Sequence, residues 1–208
     1  MATSPSRPAS RPRPGVAGAR LPQEVRIIGG LWKRTRLPVA DRPGLRPTPD
    51  RVRETLFNWL GQDLAGWQVV DAFAGSGVLG LEAASRGAQH VLLVEQEPQQ
   101  VDSLRALVQR LQAQAQVQVQ RGNALTVLQG LPARSQDLVL LDPPFDAPLH
   151  EKALAAAAPA LRSEGWLYLE APTAWTEAQL APLGLQPHRY LRAGAVHAHL
   201  LRLAVRPS

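Results

Sequence analysis

From Val69 to Ala84 the chain reads VVDAFAGSGVLGLEAA: an apolar run closed by an acid, glycines spaced Gly75-x-Gly77-x-x-Gly80, then small and aliphatic residues. A buried strand that turns through glycines straight into a helix leaves that helix one way to hide its apolar side, which is to fold back over a sheet. The next strand then lies parallel to the first, because the helix carries the chain back to the starting edge. Strand-type runs are expected near 67–71, 90–95, 116–121 and 137–142, and helices near 77–86, 97–112, 124–130 and 149–161. Pro98 suits the first turn of the second of these helices, and Val101, Leu104, Val108 and Leu111 supply its apolar face. The alternation predicts an α/β fold with a doubly wound, mostly parallel sheet covered on both faces.

The two ends of the chain break this rhythm. GWLYLEA (165–171) reads as a strand and 176–183 as a helix, after which two strand-like runs around Ala193-Gly194 predict a terminal antiparallel hairpin. One reversed strand at the sheet edge follows from it. Near the start, VRIIGGLWKRTRLPV reads as a small hairpin turning at Gly29-Gly30. In the following LRPTPDRVRETLFNWL, Thr48 is the expected N-cap with Pro49 at the first helical position. Val52, Leu56 and Trp59 or Leu60 should face the core, with Arg51 and Arg53 turned away from it. The expected organisation is a disordered basic arm over 1–24, a substrate-side hairpin and helix over 25–62, and a catalytic domain over 63–208.

Charge divides the chain unevenly. Residues 1–53 hold 12 Lys and Arg against three acids, whereas the rest holds 11 against 14. The basic end is suited to a polyanion, most commonly nucleic acid, although a solubilising tail has the same composition. Lys33, Arg34 and Arg36 beside Trp32 suit phosphate contact with base stacking, and equally a charged edge strand. The chain has no cysteine, which excludes disulfides and thiolate metal sites and points to a reducing, cytoplasmic setting. No apolar stretch approaches the roughly 18 residues of a membrane span, and the prolines of the arm oppose an amphipathic targeting helix. His197 and His199 share one face of a strand with no acid or cysteine cluster nearby, so no metal site is expected.

By spelling alone, the glycine loop is a dinucleotide fingerprint, and any strand-to-helix turn that brings backbone close to a ligand uses similar spacing. Asp71 separates the possibilities. A pyrophosphate docks on bare N–H groups at a helix N-terminus, and a carboxylate at its approach repels it. A ligand with an ammonium group is attracted instead, and S-adenosylmethionine carries both an α-amino group and a sulfonium. Glu95 closes the next strand, where a carboxylate can accept both ribose hydroxyls of either kind of nucleoside cofactor. Asn123, after the third strand, is placed to meet the adenine edge or to cap the following helix.

The fourth strand ends in Asp142-Pro143-Pro144-Phe145. Two prolines fix φ twice and remove two backbone donors, leaving stiff carbonyl acceptors beside a carboxylate. An exocyclic amine on a nucleobase needs such acceptors, because its lone pair is delocalised into the ring. Hydrogen bonds accepted from its N–H groups favour a pyramidal nitrogen that can attack an electrophilic methyl group. Phe145 supplies a stacking surface, and Asp142 is one acceptor for the released proton.

The series Asp71-Ala-Phe-Ala-Gly-Ser-Gly, Glu95, Asn123-Ala and Asp142-Pro-Pro-Phe145 resembles the motifs of class I amino-methyltransferases. VRIIGGLWKRTRL, GLRPTPDRVRETLFNWL and DAFAGSGVLGLEAASRGA more narrowly resemble the ribosomal small-subunit methyltransferase D family, over roughly residues 25 to 205. The resemblance implies a Rossmann-like, seven-strand doubly wound sheet and methylation of the exocyclic N2 of one guanine in 16S rRNA. It also implies a 30S subunit or assembly intermediate as substrate, with ribosomal proteins near the target loop. Asp71, Phe73, Gly75, Ser76 and Gly77 would hold the methionine moiety of S-adenosylmethionine, Glu95 the ribose, Asn123 and Ala124 the adenine side. Asp142, Pro143, Pro144 and Phe145 would hold the target base, and Arg26, Lys33, Arg34, Arg36, Arg46 and Arg51 the RNA. A monomer is expected, and the arm is not part of the family pattern. An adenine-N6 methyltransferase acting on DNA or another RNA uses the same chemistry. A catalytically silent RNA platform and a nicotinamide oxidoreductase are the remaining readings, the last opposed by Asp71.

Overall fold

The computed structural model describes residues 24–39, 48–145 and 149–204. The arm up to residue 23 and Arg46 lie outside the described residues. Strands β1 (Glu24–Arg26) and β2 (Arg36–Pro38) form the expected hairpin, followed by helix α1 (Asp50–Leu60). Then come β3 (Gln68–Asp71), α2 (Val78–Ser85), β4 (His90–Glu95), α3 (Pro98–Arg110), β5 (Val117–Arg121), α4 (Ala124–Gly130) and β6 (Gln136–Leu141). The chain continues through α5 (His150–Ala157), β7 (Leu161–Ala171), α6 (Glu177–Leu180), β8 (Leu185–Ala193) and β9 (Val196–Leu203).

Seven strands form one sheet in the order β5-β4-β3-β6-β7-β9-β8. The first five are parallel to one another, and β9 runs antiparallel to both β7 and β8. This is the doubly wound α/β arrangement with a C-terminal antiparallel hairpin. The order reverses between β3 and β6, which are direct neighbours, so a crevice opens beyond their carboxyl ends. Asp71 ends β3 and Asp142 follows β6, one on each side of that crevice.

One sheet face is covered by β1, β2, α1, α2 and α3, whose buried residues include Val25, Ile27, Leu37, Leu56, Phe57, Leu81 and Leu104. The other is covered by α4, α5 and α6, through Leu128, Leu154, Ala157 and Leu180. Leu56 and Phe57 are wholly buried, and each contributes roughly 1.5–3 kcal/mol through its apolar area. The N-terminal hairpin is thereby fastened to the catalytic sheet.

Four local expectations are corrected. Thr48 does not cap α1: Pro49 occupies the N-cap, and the Thr48 hydroxyl donates to Glu170 Oε1 at 2.7 Å. Arg53 is fully buried, while Leu60, not Trp59, completes the buried stripe. The helix expected to 161 stops at Ala157, where Pro159 enters a 3-10 turn, and β7 begins at Leu161. Likewise α6 gives way after Leu180 to a 3-10 turn containing Pro182.

Candidate active site at the carboxyl edge of the sheet

The loop after β3 is shaped by glycine. Gly75 and Gly77 have φ of 50° and 77°, the left-handed region where a side chain is strained. A Cβ on Gly77 would also stand 2.6 Å from Leu104 Cδ2. Gln100, in the first turn of α3, fastens the loop by donating from Nε2 to the Gly75 carbonyl at 2.6 Å. Ser76 is buried and Phe73 packs partly against the α4 side of the core.

Asp71 is almost completely buried, and its Oδ2 accepts the Gly80 N–H at 2.9 Å. That N–H belongs to the first turn of α2, where a carboxylate is favoured by the helix dipole. Oδ1 is buried with no hydrogen-bond partner among the described residues. Burial raises the Asp71 pKa to about 7, against the N–H groups of Gly80 and Phe73, with Glu95 and Glu170 adding repulsion. An orphaned, desolvated carboxylate oxygen beside a glycine loop fits a cationic ligand group and opposes a pyrophosphate.

Glu95 is partly buried. Its Oε2 accepts from Gly75 N at 3.1 Å, and Oε1 accepts from the N–H groups of Gln96 at 2.8 Å and Glu97 at 2.9 Å. A carboxylate has about four acceptor sites, so one remains after these three. Asn123 is the N-cap of α4, with Oδ1 accepting from Leu125 N and Thr126 N, which leaves its amide N–H donors uncommitted. Ala124 is buried behind it.

On the other side of the crevice, the Asp142 carboxylate accepts no hydrogen bond from the described residues, and Pro143 is buried while Pro144 is exposed. Phe145 is 39% exposed, an unusual placement for a phenyl ring, and its centroid is 6.3 Å from that of His150. Burial raises the Asp142 pKa well above the usual carboxylate range, with Glu170 and then Asp71 adding to it. Glu170, which the motif pattern did not single out, is buried next to Asp142 at the end of β7. Its Oε1 accepts from both Thr48 Oγ1 and, at 2.9 Å, Tyr168 OH. Burial raises the Glu170 pKa too, opposed by those two hydroxyls and by Arg53.

The basic residues of the N-terminal unit differ in availability. Arg26 pairs with Asp50 at 2.9 Å and Arg36 with Glu24 at 3.2 Å. Lys33 and Arg34 are exposed at the hairpin turn without an ion pair among the described residues, and Arg51 is exposed on α1. Two surface depressions lie away from this edge, one along α4 and α5 and one at the amino ends of β3 and β4, and neither is lined by a carboxylate. No helix among the described residues is long and apolar enough to cross a membrane. His197 and His199 are engaged locally, by the Tyr190 hydroxyl and by the Trp175 N–H.

A family model described as Conserved hypothetical protein 95 matches residues 25–202. The Ribosomal RNA small subunit methyltransferase D of Escherichia coli K12 is 44% identical over 150 residues, covering 71% of this chain and 72% of that protein. The chain belongs to this family. The chain is also similar to solved structures of methyltransferases. An Escherichia coli protein assigned as a methyltransferase superposes with a TM-score of 0.75 at 37% identity, covering 88% of this chain and 99% of that one. A Haemophilus influenzae protein assigned as a methylase gives 0.72 at 31% identity, covering the same 88% and 99%. The family model, matching residues 25–202, spans both the N-terminal hairpin and the carboxyl edge of the sheet, so the two belong to one family unit.

Proposed function

We propose that the chain methylates the exocyclic N2 amine of a guanine in 16S rRNA, within the 30S subunit or an assembly intermediate. The observation that carries this reading is the meeting, at one crevice, of an orphaned carboxylate oxygen on Asp71 and an uncommitted carboxylate on Asp142, in a member of this family. S-adenosylmethionine, when bound, supplies an electrophilic methyl group on a cationic sulfur.

The chain's own residues divide the remaining work. Asp71 Oδ1 and the loop from Phe73 through Gly75, Ser76 and Gly77 receive the amino acid end of the cofactor. Glu95 accepts from the ribose with its spare lone pair, and the Asn123 amide with Ala124 borders the adenine. Asp142 and the carbonyl preceding Pro143 accept the two N–H groups of the target amine, which localises its lone pair. Phe145 stacks on the base, which must be unpaired or swung out to enter. The unit over 25–62 lies on the substrate side, with Lys33, Arg34 and Arg51 on RNA phosphates. Arg26 and Arg36 serve there too once released from Asp50 and Glu24, and Arg46 and the basic residues of the arm over 1–24 add positive charge for the RNA. A cytoplasmic monomer acting beside ribosomal proteins completes the reading.

Adenine carries a chemically similar amine, so nucleoside analysis of the product is the test. N2-methylguanosine is the expected product, and N6-methyladenosine would assign the same site to the other base.

A further inference from the structure

Leu141 of β6 pairs with Leu169 of β7 in parallel register, so the next residue of each strand, Asp142 and Glu170, stand side by side at the carboxyl edge. Glu170 is only 2% exposed, yet no cation bonds to its carboxylate among the described residues. Both donors to it, Thr48 Oγ1 and Tyr168 OH, approach the same oxygen, Oε1. A buried carboxylate without a bonded cation is expensive, and the half-buried Asp142 carboxylate beside it adds to the cost, because neighbouring like charges cannot both ionise freely. Leu167, Leu169 and Ala171 turn to the opposite face of the sheet, so Glu170 shares its face with Tyr168, whose buried hydroxyl donates to it.

We propose that Glu170 is a positioning residue of the target-base site: pinned by Thr48 and Tyr168, it makes with Asp142 a carboxyl pair that carries one proton and one negative charge when the amine enters. The inference rests on the assignment of Asp142 to the target base. The groups facing the pair are Asp71 from β3, Tyr168 beneath it on β7, Thr48 at the start of α1, and the buried Arg53 guanidinium of α1. Arg53 acts through space, since the hydrogen bonds it makes go to Thr48 O, Arg26 O, Glu82 and Asp50 and none reaches Glu170. Burial and Glu170 hold the Tyr168 hydroxyl protonated, so it stays a donor. One charge on the pair is enough to accept an amine N–H. As the N–C bond forms and the bond from the methyl carbon to the sulfonium sulfur breaks, its electron pair staying on sulfur as a neutral thioether, the amine nitrogen gives up one N–H proton to the Asp142 carboxylate, which leaves the pair neutral until that proton passes to solvent. Thr48 links this pair to α1 and hence to the substrate-side unit.

The test is the titration of Asp142 in Glu170→Gln, followed by side-chain carboxyl ¹³C NMR in the cofactor-free protein, with Asp142→Asn to assign the resonance. Tyr168→Phe, which removes one donor from Glu170 while keeping the ring, is the second variant. Losing the neighbouring charge makes Asp142 easier to ionise, so its midpoint should fall by roughly one pH unit in Glu170→Gln and in the same direction in Tyr168→Phe. The acid limb of single-turnover methyl transfer should move to lower pH with it, while cofactor affinity stays within about twofold. An Asp142 titration unchanged in both variants would overturn the proposal, as would a shifted titration with an unmoved acid limb. If the wild-type enzyme methylates no guanine, the functional reading fails, while the NMR titration still decides whether the carboxyl pair exists.

Discussion

Arg53 Nη1 meets Glu82 Oε1 at 2.5 Å, with both side chains completely shut off from solvent. Glu82 lies in α2, directly behind the glycine loop, and its other oxygen is bonded by Arg86. Its Oε1 also accepts the Ile28 N–H at 2.6 Å, and Arg53 donates to the Arg26 carbonyl at 3.0 Å. The two side chains therefore tie the hairpin and α1 to the helix that follows the glycine loop. Burial lowers the Arg53 pKa, and Glu82 and Asp50 oppose that shift.

Removing one partner of such a pair strands the other charge in the core. Arg53→Met should destabilise the protein by about 3–5 kcal/mol. Urea denaturation measures it, and a change below about 1 kcal/mol would mean that Arg86 alone satisfies Glu82.

Asp71 gives a pH dependence with a definite sign. Its folded pKa of about 7 stands above the ordinary 3.8, so the folded state binds the proton more tightly. This group's contribution therefore favours folding at low pH and is lost as pH rises from about 4 to 7, by about 4 kcal/mol in all. Asp71→Asn keeps an acceptor for Gly80 N–H and should flatten that part of the stability curve while weakening cofactor binding. Parallel curves for the two proteins would contradict the placement of Asp71 in a desolvated pocket.

Glu95 organises the loop and, in the proposed reading, receives the ribose. Glu95→Ala should raise the cofactor Kd by at least about tenfold, equivalent to roughly 1.4 kcal/mol. Turnover at saturating cofactor should fall less. Calorimetry that finds an unchanged Kd would remove Glu95 from the cofactor site.

Much of this was legible in the sequence, because the evidence was local. Alternating strand and helix patterns, the Gly75 to Gly80 spacing and the turn between β8 and β9 each depend on residues a few positions apart, whereas the N-terminal hairpin turns at residues 31–34, just beyond the expected Gly29-Gly30. The buried polar network did not, because its partners are distant in sequence. Thr48 carries every local mark of an N-cap, yet a buried acid 122 residues away claims its hydroxyl. Arg53 reads as a surface residue on helical periodicity, and is buried because Glu82, Asp50 and two carbonyls satisfy its guanidinium. Glu170 sits inside an apolar strand run, where only the register against β6 reveals its neighbour. Pro159 and Pro182 were visible breakers, and both shortened helices that apolar periodicity had extended.

Lys33 and Arg34 are the exposed cations of the hairpin turn that are free of ion pairs among the described residues. Replacing both with alanine should weaken RNA binding more at low salt than at high, and reduce the salt slope by about one to two units. Arg36, held by Glu24, should contribute less. An unchanged slope would turn the hairpin away from the RNA.

The most direct test of the central claim is methyl transfer from labelled S-adenosylmethionine to unmodified 30S subunits and naked 16S rRNA, by the wild type and Asp142→Ala, with nucleoside analysis of the product. N2-methylguanosine formed on the ribosomal substrate by the wild type, and absent with Asp142→Ala despite normal cofactor binding, is the predicted result. Methyladenosine as the labelled product, or undiminished guanine methylation by Asp142→Ala, would contradict it.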